Sequence, residues 1–318
     1  MKDPRKNFLK ESEEPKGLEK IKGYDFNQKF DFHNLMKSCK TTGFQATELA
    51  RAIEIIKEMR KEKCTIFLGY TSGMVSSGLR EIFRYLAEHK MIDVIVTTAG
   101  GIEEDIIKCL DSFLLGKFNL SGKKLRERGI NRIGNILVPN SRYVKFEEFL
   151  IPVLKKIDRI ITPSEFIHLL GKEINNKESI YYWAHKNNIP VFCPAITDGS
   201  IGDMLYVFMN KKPEFKIDIA SDLKKINDIS LYAEKTGVII LGGGLVKHHI
   251  VNANLMRGGC DYAVYVNTSH EFDGSEAGAS PDEAVSWGKI KGEGKYAKVF
   301  GDATIIFPLI VAECFKNS

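Results

Sequence analysis

Five strand-length apolar runs in this chain end in clusters of small and hydroxylated residues, and no other feature restricts the fold as tightly. CTIFLGY (64–70) runs into TSG, IDVIVTTA (92–99) into TTAGG, and PVFCPAI (190–196) into TDGS. VIILGG (238–243) runs into GGG, and YAVYVN (262–267) runs into NTS. RIGNILVP (132–139) is a further run of strand length. The runs are near-continuous rather than alternating, so both faces of the sheet they form are covered. Helical patterns lie between most of them. Leu49, Ala52, Ile53, Ile56 and Met59 recur at helical spacing across Gln45 to Glu62, and Ile106, Ile107 and Leu110 follow the second run. Strands separated by helices of crossover length predict a mostly parallel, Rossmann-like sheet in a three-layer α/β/α domain. Ligands of open α/β sheets bind outside the carboxyl ends of the strands, where small residues let the backbone approach and helix N-termini favour phosphate. Any one of these clusters is equally a tight turn; five together point to a dinucleotide crevice. The strict GxGxxG spacing is missing, because GGGLVKHH does not keep it.

The rest of the composition narrows the class. The 318 residues are 43% hydrophobic and 27% charged, as in an ordinary globular protein, and the net charge of +5 does not mark a nucleic-acid binder. No stretch approaches the ~20 apolar residues of a membrane span, and MKDPRKNFLKESEEPKG has no apolar signal core. Six cysteines lie far apart without a CxxC pair, which argues against a metal site and for a reducing, cytoplasmic setting. Residues 1–22 carry almost no apolar payload and read as a mobile N-terminal arm; 23–318 read as one domain.

The chemistry concentrates between Thr268 and Ile290. This stretch holds Glu271, Asp273, Glu276, Asp282 and Glu283 against one cation, Lys289. Ser, Gly and Pro prevent a single regular element before Ala284, while AVSWGKI could be extended with Trp287 and Lys289 on one side. Carboxylates neutralise ammonium groups and an indole face attracts a cation, so the stretch suits a small organic cation. Its lysine could serve as a nucleophile toward an imine. By residue type alone a solvated acidic loop is equally open.

EFDGSEAGASPDEAVSWGKI (271–290) resembles the active-site signature of the deoxyhypusine synthase family. GYDFN (23–27), TTGFQAT (41–47), VTTAGGIEEDIIKCL (96–110), NRIGNILVPN (131–140), GKEINNKESIYYWAHKNNIPVFCPAITDGSIGD (171–203) and ILGGGLVKHHIVNANLMRGG (240–259) resemble it too, in the same order. The resemblance spans roughly residues 23 to 315. It implies NAD as cofactor, bound by Ser72, Gly73, Met74, Val75 and Ser76 in the first loop and by Thr98, Ala99, Gly100 and Glu104 in the second. Asp198, Gly243, Thr268, Ser269, Asp302 and Ala303 complete that set; Asp302 could equally be a turn aspartate. It implies a spermidine site of Glu103, Glu104, Asp203, His248, Asp273, Gly274, Ser275, Glu276, Glu283, Trp287 and Lys289. Lys289 is then the covalent nucleophile and His248 the proton-handling residue, although a helix-start histidine could instead make a structural hydrogen bond. The family usually has aspartate where this chain has Glu276, and Ala277 and Ser280 replace polar or basic residues. The implied partners are spermidine and the precursor of translation initiation factor 5A, with the enzyme, a transferase, assembled as a homotetramer with sites at a dimer interface. In relatives an N-terminal helix can cover the site. Two alternatives stay open: homospermidine synthase, with putrescine as acceptor, and an inactive regulatory paralogue, against which the intact Lys289 and glycine clusters stand.

Overall fold

A computed structural model describes residues 3–316, so the first two residues of the expected arm and the last two of the expected domain lie outside it. Its centre is a six-stranded sheet: β1 (Thr65–Tyr70), β2 (Val94–Thr97), β3 (Val191–Phe192), β4 (Thr236–Leu241), β5 (Cys260–Asn267) and β6 (Ile290–Phe300). The order is β3-β2-β1-β4-β5-β6, and every pairing is parallel. Strand order therefore reverses between β1 and β4, which places the crevice of a doubly wound sheet at that point. Alternate residues face opposite layers. Phe67, Val94, Val238 and Ala263 join one buried cluster, and their neighbours Leu68, Ile95, Ile239 and Val264 join the other. The expected three-layer α/β/α architecture is what forms.

Helix Phe44–Lys61 forms where its apolar spacing places it, burying Leu49, Ile53, Ile56 and Met59. The helix after β2, Ala99–Leu110, is pinned from behind. Its Asp105 takes Arg80 Nε at 2.7 Å, Ser179 Oγ at 2.5 Å and the Ile180 amide, all buried. Tyr181, wholly buried, donates to the Gly101 carbonyl at 2.8 Å. Losing one partner of so buried a charged network costs about 3–5 kcal/mol, so these residues fix the helix rather than touch a ligand.

Three elements depart from expectation. RIGNILVP is not one strand of the central sheet: Gly134, at φ +58, begins a two-residue turn that folds Ile130–Ile133 against Ile136–Pro139. With Leu114–Leu115 they make a separate antiparallel sheet. A glycine at the first position of such a turn matches the strand twist, and the hairpin wins over a crossover. PVFCPAI contributes only Val191–Phe192 to the sheet, since Pro194 has no amide to continue it. β6 was hidden by its charges. Lys291 and Lys295 leave the edge to pair with Asp261 and Glu58, both at 2.6 Å, as edge strands commonly do.

Within the arm, Arg5–Phe8 form a single helical turn. Only its end is tied down: Lys22 N donates to Thr41 O at 2.9 Å, and Lys40 pairs with Glu19 at 2.8 Å. No helix among the described residues is long and apolar enough to cross a membrane.

Candidate active site

Each of the six strands is followed by a candidate site residue, in order Ser72, Thr98, Asp198, Gly243, Thr268 and Asp302, and the candidates fall into two groups flanking the β1/β4 reversal. The first group hangs on β1, β2 and β3. Ser72–Ser76 forms a short helix after β1, and Ser76 Oγ donates to the Glu104 carboxylate in a short, buried contact. Gly100 faces Ser72 so closely that an added Cβ would stand 2.7 Å from the serine Cβ. Thr98, at the N-cap of the Ala99–Leu110 helix, keeps its hydroxyl buried with no partner among the described residues. Glu103 accepts the Ile201 amide at 2.8 Å and so caps the helix Ser200–Met209. Gly199, at that helix start, leaves the Glu103 carboxylate room that a side chain would fill. Asp198 and Asp203 are exposed beside it.

Burial governs this group's protonation. It pushes Glu103 up, opposed by the Ile201 and Ser200 amides and assisted by Asp203 and Asp198. It pushes Glu104 up to about 7, with Glu103 adding to the rise and the Ser76 hydroxyl opposing it. A carboxyl whose folded value is raised stabilises the fold below its unfolded value near 4.5 and loses that contribution as pH rises through 7. Glu104→Gln is therefore expected to raise the melting temperature of the ligand-free protein at pH 8 and to change it little at pH 4.5. The difference is at most about 3 kcal/mol, readable by calorimetry at the two pH values. An equal shift at both would place the effect elsewhere.

The second group hangs on β4, β5 and β6. Thr268 and Ser269 directly follow β5. Glu271–Asp273 make one 3-10 turn, Gly274 takes φ +69, and Asp273 accepts the Ser275 amide at 2.7 Å; the Ser275 hydroxyl, with that amide, holds its carboxyl below the usual range. Gly243 sits against Ala277, so that any side chain at 243 would collide with the loop backbone. After β6, Asp302 caps helix Ala303–Cys314, its Oδ1 accepting the Thr304 amide and hydroxyl, both at 2.8 Å. His248 lies exposed in helix Leu245–Leu255, three residues past Leu245.

AVSWGKI is not extended. Ser280 caps a helix over Pro281–Ser286, and the chain closes it through Gly288 N to Val285 O and Lys289 N to Ala284 O, both 2.9 Å. This pair of bonds is a Schellman closure, and it requires the left-handed φ of +70 seen at Gly288. Pro281 favours the helix start, and a proline with a serine cap outweighs the β-branched and aromatic residues that read as strand. Trp287 and Lys289 meet nonetheless, the Lys289 Nζ lying 5.7 Å from the indole centroid. Gly288→Ala is expected to cost about 1–2 kcal/mol of local stability and to lower turnover by displacing Lys289. Unchanged kinetics in that variant would show that the closure does not position the lysine.

Two lysines absent from the sequence reading hold this loop in place. Lys247, 1% exposed, donates to the Glu276 and Ala279 carbonyls at 2.6 and 2.7 Å, and its Nζ lies 4.9 Å from the Tyr265 ring centroid. Lys298 donates to the Ser269 and Gly278 carbonyls at 3.1 and 2.5 Å. Burial pushes Lys247 down to about 8; Glu276 and Glu283 oppose the shift, while Lys298 and Lys289 reinforce it. The only sequence signal was a lysine on the apolar side of a helix, beside the histidine pair.

Comparison with known proteins identifies the family. The deoxyhypusine synthase family model matches residues 34–314. A deoxyhypusine synthase of Senecio vernalis is 52% identical, covering 99% of this chain and 94% of its own length. A homospermidine synthase of the same plant is also 52% identical, covering 98% and 93%. A crystal structure described as a deoxyhypusine synthase from Entamoeba histolytica superposes with a TM-score of 0.70 at 36% identity, covering 93% of this chain and 97% of its own. With a family model across most of its length and relatives above half identity, the chain belongs to the deoxyhypusine synthase family.

Proposed function

We propose that this chain transfers the 4-aminobutyl group of spermidine to one lysine of the translation initiation factor 5A precursor and releases 1,3-diaminopropane. The observation that carries the reading is Lys289 Nζ over the Trp287 ring, 5.7 Å from its centroid, at the end of the acidic loop whose Glu276 and Ala279 carbonyls the buried Lys247 holds. A dinucleotide fits the other group. The strand-order reversal, the Thr98 hydroxyl, partnerless among the described residues, and Gly73, whose Cβ side is open, leave room for approach to a bound nucleotide. Ser72, Gly73, Met74, Val75, Ser76, Thr98, Ala99, Gly100, Glu104 and Asp198 would hold it on one side; Gly243, Thr268, Ser269, Asp302 and Ala303 would hold it on the other. NAD, when bound, supplies uptake of hydride from the carbon beside the secondary amine of spermidine and its return to the final product.

The residues supply the rest. Glu103, Asp203, Asp273, Glu276 and Glu283 accept the ammonium groups, each of which needs an anion on leaving water. Gly274 and Ser275 shape the turn beside them, and Trp287 packs on the methylenes. Neutral Lys289 adds to the imine carbon of oxidised spermidine; the bond to the aminopropyl nitrogen breaks, and the butyl group stays on Lys289 as an imine. His248 accepts the proton released by the incoming amine. The acceptor lysine then adds to the same carbon and Lys289 leaves, so no net oxidation occurs. The two groups of site residues lie on separate halves of the sheet, in keeping with a homotetramer whose sites are shared between paired chains.

Putrescine as acceptor is the second reading, favoured by the equally similar homospermidine synthase. Incubation with spermidine, NAD and each acceptor in parallel tests both. Deoxyhypusine on the protein acceptor at a rate well above homospermidine formation is expected; the reverse ratio would overturn the protein reading.

A further inference from the structure

Beyond the edge strand β3 a cavity of about 700 Å³ opens between helices Pro163–Ile174 and Ile180–Asn187. It lies beside Pro190 and Val191, at the start of β3 and away from the carboxyl ends that carry the candidate site. Its wall is apolar, with Ile161, Ile167, Ala184 and Ile189. Five basic side chains, Arg159, His168, Lys172, His185 and Lys225, line it together with polar Ser164 and Asn188. Glu165 is the one carboxylate among the lining residues, and Arg159 already grips it with both amino groups at 3.0 and 3.2 Å. Asp222, behind Ser164, is committed to the Ser164 amide and hydroxyl at 2.6 Å. Among the described residues Lys225 donates to the Ser164 hydroxyl at 3.0 Å and lies over the Phe192 ring.

The two imidazoles share a hydrogen bond, His185 Nδ1 to His168 Nε2 at 2.9 Å. Burial and nearby cations, Lys225 and Lys172 for His168 and Lys186 and Lys172 for His185, hold both rings below their usual range. Arg159, Lys172 and Lys225 stand as cations about a half-apolar hollow with the two imidazoles as further donors, and a multivalent anion would answer several of them at once. A phosphate dianion matches several donors at a distance that one carboxylate cannot span. We propose that this cavity binds a small molecule carrying a phosphate group on an apolar or ring-shaped body.

The test uses the intact protein, saturated with NAD, in calorimetric titrations at low ionic strength. Phenyl phosphate, inorganic phosphate and benzyl alcohol are the probes, against wild type and the Lys172→Gln, Lys225→Gln double variant. Phenyl phosphate is expected to bind once per chain and more tightly than inorganic phosphate, and the double variant to bind it at least tenfold more weakly with basal turnover unchanged. Absence of binding, equal affinity in the double variant, or benzyl alcohol binding as well as phenyl phosphate would overturn the proposal. Sedimentation of the same samples covers one more outcome. A change of oligomeric state in the double variant would make the cavity a seat for another copy of the chain and also overturn it.

Discussion

Replacing Lys289 with arginine is expected to remove turnover, by roughly 10⁴-fold or more as for other covalent catalysts, while NAD binding and the melting temperature stay near wild type. Arginine keeps a cation near Trp287, where the lysine Nζ lies 5.7 Å from the ring centroid. It also keeps the backbone bonds that close the Pro281–Ser286 helix. What it cannot do is give up its proton near neutral pH, so it offers no lone pair to an imine carbon. Steady-state assay and calorimetric titration with NAD separate the two properties. Residual turnover within tenfold of wild type would mean that Lys289 contributes charge rather than a bond.

Lys247→Met is expected to give the second-largest loss. The methionine fills the volume of the lysine stem but donates nothing, leaving the Glu276 and Ala279 carbonyls that Nζ holds at 2.6 and 2.7 Å without their donor. Each hydrogen bond to a charged group is worth about 1.5–3 kcal/mol, so the loop loses much of its anchorage, and Lys298 alone retains the Ser269 and Gly278 end. A lower melting temperature should accompany a roughly 10–100-fold fall in kcat/KM for spermidine, on the scale of 1.4 kcal/mol per factor of ten. The rise should fall mainly on the KM for spermidine, with NAD affinity nearly intact. If KM for spermidine stays at the wild-type value while stability falls, Lys247 supports the fold and not the site.

The parts of this molecule legible in the sequence are those where local and global signals agree. β1, β2, β4 and β5 are apolar on both faces because both are covered, and their small-residue ends lie at the carboxyl edge of the sheet. β6 was missed because an edge strand carries its charges outward, so KGEGKYAK reads as loop. RIGNILVP was assigned to the central sheet because periodicity cannot show which partner a strand takes; Gly134 turns it back on itself. Within the site, residue types such as Lys289 and the carboxylates announced their chemistry, whereas Lys247 and Lys298 act by long-range bonds to backbone carbonyls. No spacing rule exposes a side chain whose partners lie 20 to 32 residues away. Trp287 and Lys289 were paired correctly from the wrong local structure, since a Schellman turn brings them together as an extended strand would.

The account stands or falls on where the aminobutyl group is carried. The direct measurement is borohydride reduction of the wild-type protein after incubation with spermidine and NAD in the absence of acceptor, followed by peptide mass analysis. The account predicts one modified site, an aminobutyl adduct on Lys289, dependent on both NAD and spermidine. An adduct on another lysine such as Lys247, or none under conditions that support turnover, would contradict it.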